Sequence, residues 1–141
     1  RIGLYSELAR QPVVNYREKI AQDGLVTTKK NIRSLRTMIS ESDDYLSKQI
    51  RTWHDYFSMS ELRDLIFHVQ EHRFTLLQIK DFLSQLGLVF CGFETDKIVN
   101  GVIMANTSKD TEYDLDNWHT FEQDNPRIFA GMYQFWCQKS C

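Results

Sequence analysis

The stretch from Thr75 to Glu94 constrains this chain most. Thr75-Leu-Leu-Gln78 has the form of a capping box, in which threonine and glutamine each satisfy a backbone N–H at a helix start. Leu76, Ile79, Phe82, Leu83 and Leu86 recur at helical spacing and are expected to face inward. Gly87 is placed to end that helix in the left-handed conformation. Leu88-Val-Phe-Cys-Gly-Phe-Glu94 follows, apolar on both alternating faces, as a strand covered on both sides would be. A helix that stops at a glycine and runs into such a strand commits the chain to a sheet with helices packed on it.

The other segments fit that frame. Ile2–Tyr5 reads as a short strand. Pro12 suits the first turn of a helix that carries Val13, Tyr16 and Ile20 on one face and stops at Gly24. Thr27 or Thr28 caps a second helix with Ile32, Leu35 and Ile39 inward. Asp43 or Asp44 caps a third, with Leu46, Ile50 and Trp53 inward. Ser58-Met-Ser-Glu61 opens a fourth that bears Leu62, Leu65, Ile66 and Val69. Residues 96–106 read as helix and 107–114 as a polar loop. Leu115, Trp118 and Phe121 mark a short amphipathic helix that ends before Asn125-Pro126, and Met132–Cys137 is a last, largely apolar strand. The expectation is an α/β chain, α+β-like in order, with one domain over 1–141. A helical insert occupies about 8–74 and a sheet-forming part about 75–141.

Composition narrows the classes. The chain has 141 residues, 42% of them hydrophobic, enough for one self-sufficient core without a metal or disulfide. Net charge is −2, and Lys29, Lys30, Arg33 and Arg36, the densest basic stretch, read as a solvated helix face, so no nucleic-acid partner is expected. Cys91, Cys137 and Cys141 lack framework spacing, and the first two read as buried thiols of a reducing compartment. No signal peptide and no membrane-spanning run is visible, which points to the cytoplasm and away from a membrane partner. Arg1 stands directly before a strand, as in a piece of a longer protein.

Three segments carry a resemblance. They are Gly3-Leu-Tyr-Ser-Glu-Leu-Ala-Arg10, the run Arg63–Thr75 continued through Gln78-Ile79 to Gly92-Phe-Glu94, and Trp118 with Phe121-Glu122, Asn125-Pro126 and Phe129–Trp136. Together they resemble the C-terminal portion of a bacterial family of class I, Rossmann-like S-adenosylmethionine-dependent methyltransferases, often fused behind tetratricopeptide repeats. The resemblance implies a short mixed three-stranded sheet in the order 2–5, 131–138, 88–94, with the middle strand antiparallel. It also implies a free edge on the 2–5 strand, open to a homodimer partner or to a missing N-terminal half. The family holds its cofactor on a glycine-rich turn. Gly3, Gly24, Gly87, Gly92, Gly101 and Gly131 make no G-x-G turn, so this chain is expected to bind no cofactor and to be inactive alone.

Candidate chemistry follows from the strand ends, because ligands sit outside the carboxyl ends of such sheets. Tyr5, Ser6 and Glu7 leave the first strand there and would face the methyl acceptor; their plain alternative is a turn capped by Ser6. His68, Glu71, His72 and Arg73 form the most chemically loaded stretch, since a histidine near neutrality suits a base that takes the acceptor's proton. The plain alternative is a polar helix end, with His72 and Arg73 in the last turn and Glu71 solvated. His68-x-x-Glu71-His72 also matches an inverted zinc-peptidase pattern, a remote alternative that needs both histidines on one helix. Trp118, Phe121, Phe129, Tyr133, Phe135 and Trp136 read as core. A second function class stays open beside the methyltransferase: a non-catalytic interaction or dimerisation module.

Overall fold

Alternating apolar residues and one tight cap build a mixed sheet with helices against it. A computed structural model describes residues 1–68, 70–94 and 112–140. The expected helix at 96–106 and most of the 107–114 loop lie outside these, as do Val69 and Cys141. The described chain forms two compact units, Arg1–Arg10 with His72–Cys141, and Gln11–Glu71.

The first unit is the sheet. Its strands are β1 (Ile2–Ser6), β2 (Arg73–Phe74), β3 (Leu88–Phe93) and β4 (Tyr133–Lys139), ordered β2-β1-β4-β3. β4 lies antiparallel to both β1 and β3, with Leu4 opposite Tyr133 and Phe90 opposite Cys137. The three longer strands therefore take the expected order. Among the described residues the sheet has four strands and not three, because β2 pairs parallel with β1 at Tyr5 and Ser6. The outer edge of β1 is thus partly covered, and the pairing stops short of Ile2–Leu4.

The helix after β2 (Leu76–Gln85) starts at Thr75 with the full capping box: Thr75 Oγ1 accepts from Gln78 N–H at 3.2 Å, and Gln78 Oε1 accepts from Thr75 N–H at 2.9 Å. It buries Leu76, Ile79 and Leu83, whereas Phe82 and Leu86, expected inward, are mostly exposed. The five positions share one arc of about 120°, and only the side of it that holds Leu76, Ile79 and Leu83 is covered. Gly87 follows at φ +64° and Gly92 at φ +109°, the latter beside the register shift between Phe90 and Phe93. A final helix (Leu115–Asp124) is capped by Asp114 and buries Leu115, Trp118 and Glu122. Phe93 makes ring contacts with Phe90, Trp118, Phe129, Tyr133 and Phe135 at the centre of the core. Val89 and Trp136 are 47% and 53% exposed, so β3 and β4 are not covered on both faces as their composition suggested. Cys91 and Cys137 are free thiols and half-buried, not buried.

The second unit is helical: α1 (Gln11–Gln22), α2 (Lys29–Glu41), α3 (Tyr45–Ile50), a short 3₁₀ turn (His54–Phe57) and α4 (Met59–Phe67). In chain order, Leu76–Gln85 is then α5 and Leu115–Asp124 is α6. Thr28 caps α2 and Asp44 caps α3 through the N–H groups of Asn31 and Ser47. Val13, Tyr16, Ile20, Ile32, Leu35, Ile39, Ile50, Leu62, Leu65 and Ile66 close one core. α3 ends at Ile50, and Trp53 lies beyond it, half-buried against that core.

Candidate functional site

The carboxyl end of β1 gathers the polar groups of the sheet unit. Pairing with β2 brings Arg73 opposite Tyr5, and Glu7 N–H donates to the Phe74 carbonyl at 2.9 Å. Arg73 Nε donates to Glu7 Oε2 at 3.1 Å, in a pair 25% and 40% exposed. The Arg10 guanidinium, almost wholly buried, lies 4.4 Å from the centre of the Tyr5 ring. Four of the expected residues, Tyr5, Ser6, Glu7 and Arg73, thus meet in one place.

Beneath them lies a buried polar cluster. Ser6 is fully buried, and its hydroxyl donates to Glu122 Oε1 at 2.6 Å while accepting from Ala9 N–H at 3.0 Å. The Tyr133 hydroxyl reaches both Glu122 oxygens at 2.8 Å. Glu122 is 1% exposed. Burial pushes its carboxyl up, against the opposing pull of the Ser6 and Tyr133 hydroxyls and of His119. Burial also pushes the Tyr133 phenol far up, so it stays protonated and donates. His119 Nδ1, one turn earlier on α6, is buried and has no hydrogen-bond partner among the described residues. Ser6 therefore does cap a turn, and it does so while tied to α6.

Glu122 was missed as a candidate, although a local signal existed. Leu115, Trp118 and Glu122 stand at the three- and four-residue spacing of an inward stripe, and a carboxylate on such a stripe has to find partners. Its partners lie far along the chain, which no local pattern reveals.

His68 and Glu71 belong to the helical unit, and His72 to the sheet unit. α4 ends at Phe67, and His68 is its C-cap with extended backbone. His72 and Arg73 therefore do not sit in a last helical turn, and His68 and His72 do not share a helix face. The helical arrangement that the zinc-peptidase pattern needs is absent. Glu71 is not solvated: its side chain is 5% exposed and pairs with Arg17 at 3.1 Å. The same guanidinium donates to the Leu65 carbonyl from Nε at 3.1 Å and Nη2 at 2.7 Å. Arg17 thus caps the end of α4 from a distant helix. His68 lines a shallow cleft of about 450 Å³ with Thr27, Arg63, Asp64, Phe67 and Gln70. Among the described residues, no group of three or more His, Cys, Asp or Glu could hold a metal. No described helix is long and apolar enough to cross a membrane. No protein-family model matches this chain, and a search of curated proteins finds no match.

Proposed function

We propose that this chain is the acceptor-side, C-terminal portion of a Rossmann-like S-adenosylmethionine-dependent methyltransferase, inactive without a cofactor-binding half. The observation that carries this reading is the sheet: β4 runs antiparallel between β1 and β3, so β1 and β3 run the same way. That is the terminal arrangement the resemblance implies. Tyr5, Glu7, Arg10 and Arg73 stand at the carboxyl end of β1, where an α/β sheet presents its ligand. In this reading, Glu7 and Arg73 orient the acceptor and Tyr5 packs on it. His68, Glu71 and His72 are assigned no chemistry. The partner is the missing half, or a second copy, along β1 at Ile2–Leu4. The free thiols Cys91 and Cys137 suit a reducing cytoplasm.

The second reading, a non-catalytic interaction module, is favoured by Val89 and Trp136. Val89 pairs with Gln138, two residues from Trp136, so both exposed side chains lie on one face of the sheet.

The test is calorimetric titration with S-adenosylhomocysteine, on this chain and on the longer chain read through any open frame upstream of it. Silence from the folded chain and saturable binding by the longer one is the expected result. Saturable binding by this chain alone would overturn the cofactor-free reading. A longer chain that neither binds nor carries a glycine-rich strand–turn–helix would leave the interaction module standing.

A further inference from the structure

We propose that Glu122 is a positioning residue: its carboxylate, held between Ser6 and Tyr133, sets the direction of both hydroxyls and, through Ser6, the turn that presents Glu7 to Arg73. The inference deepens the methyltransferase reading and rests on it for the idea that this end of β1 meets an acceptor.

The reasoning starts from hydrogen-bond capacity. An ionised carboxylate only accepts, so both hydroxyls must donate to it. Ser6 has one hydroxyl hydrogen, and it donates that hydrogen bond to Glu122 Oε1 at 2.6 Å. The serine lone pairs are then left for Ala9 N–H at 3.0 Å, while the Ser6 carbonyl accepts from Arg10 N–H at 3.2 Å. The turn over residues 7–10 therefore hangs on one serine, whose orientation is dictated from α6. Glu7 is the first residue of that turn and carries the contact to Arg73.

The choice of a carboxylate supports the same conclusion. The hydrogen-bond partners of Glu122 among the described residues are hydroxyls, not a lysine or arginine. A core that needed only to be filled would be better served by an apolar residue. A neutral amide would donate as well as accept, and would leave the hydroxyl directions undecided. The titratable groups acting on Glu122 are His119 on α6 and Tyr133 on β4, and Glu7 in turn acts on Tyr133.

The experiment follows the Glu122 carboxyl, the amides of Glu7 and Ala9, and Arg73 Nε–H by NMR. It uses the full chain, from about pH 9 to about pH 4, a range that reaches from the ordinary carboxylate value to well above it. The expected result is one shared step at all four groups. In Glu122→Gln the step disappears, and the Glu7, Ala9 and Arg73 signals are already displaced at neutral pH, while those of β3 keep their places. Unchanged Glu7 and Ala9 signals in folded Glu122→Gln would overturn the proposal. So would displacement spread evenly over the whole sheet unit, which is what a merely structural role gives. Should that variant fail to fold, Tyr133→Phe decides. It keeps the carboxylate and Ser6, so the step should persist with its midpoint moved up, because the anion has lost a donor. A carboxyl that titrates in Tyr133→Phe without any step at Glu7 and Ala9 would equally overturn the idea. No cofactor enters these measurements, so they stand or fall separately from the titration with S-adenosylhomocysteine.

Discussion

The helical unit and the sheet unit solve the same packing problem with different materials. In the helical unit, aliphatic side chains at helical spacing meet in one core, and hydroxyl or carboxylate caps sit at the helix starts. In the sheet unit, aromatic rings crowd around Phe93, and a buried carboxylate, Glu122, bridges α6, β1 and β4. The carboxylates differ accordingly. Asp44, at the surface, is held well below the usual carboxylate range by the hydroxyls of Ser42 and Ser47 and by backbone N–H groups. Glu122, in the interior, is pushed up by burial. Asp44 in the helical unit thus supports a local turn, whereas Glu122 in the sheet unit joins distant parts of the chain at a cost in desolvation.

The sharpest way to break this contrast is Phe135→Ala. Phe135 is 1% exposed and packs tilted against Phe90 and edge-to-face against Phe93, so its loss should cost about 3–5 kcal/mol. Amide hydrogen exchange should show protection falling in β3 and β4 while α2 keeps its own. An equal fall in both units would mean that they open as one cooperative body, and the contrast would lose its energetic meaning. The converse variant is Ile39→Ala, at a fully buried site of the helical core, with an expected loss of about 2–5 kcal/mol read in α1 and α2.

A smaller effect tests the junction where the sheet unit still depends on a local signal. Thr75→Ala removes half of the capping box and should destabilise α5 by about 1 kcal/mol in chemical denaturation. The pH dependence should separate the two carboxylates by sign. Folded Glu122 holds its proton more tightly than the unfolded chain does. Acidification through its raised value toward the ordinary one should therefore stabilise the native chain relative to Glu122→Gln. Asp44 works the other way: its contribution is present above the ordinary aspartate value and is lost as pH falls below it, so the native chain should lose its advantage over Asp44→Asn. Equilibrium denaturation of the three proteins at a series of pH values checks both signs. A common direction would show that location does not decide what a buried or surface carboxylate does here.

Much of the architecture was legible because its causes are local. The caps Thr28, Asp44 and Thr75, the inward sets of α1 and α2 and the stop at Gly87 each rest on a few neighbouring residues. The failures have distant causes. α4 stops at Phe67, and the Leu65 carbonyl left open by that stop is met by Arg17 from α1, which also pairs with Glu71; nothing near Phe67 announces it. Arg73–Phe74 became a strand because β1 offered an edge, since two residues have no pattern of their own. Phe82 and Leu86 carried the right spacing for burial, but the sheet reached only the face of Leu76, Ile79 and Leu83. In the candidate site, Tyr5, Ser6 and Glu7 were named from their place at a strand end, and Arg73 from the loaded stretch His68–Arg73, which the structure does not fold as a helix end. Arg10, Glu122 and Tyr133 were not, because a buried carboxylate is recognised by what surrounds it.

By itself, then, the sequence determined where helices begin, which of their stripes are apolar, and that a doubly apolar strand follows Gly87. Those outcomes depend on backbone hydrogen bonds and side-chain spacing within a turn or two. Only the tertiary structure decided which apolar stripe is covered, where α4 ends, and that Ser6 and Tyr133 meet on Glu122 across 116 and 11 positions of chain. Burial and electrostatic pairing act through space, and the cost of leaving a carboxylate alone in a core becomes defined only once the core has closed around it.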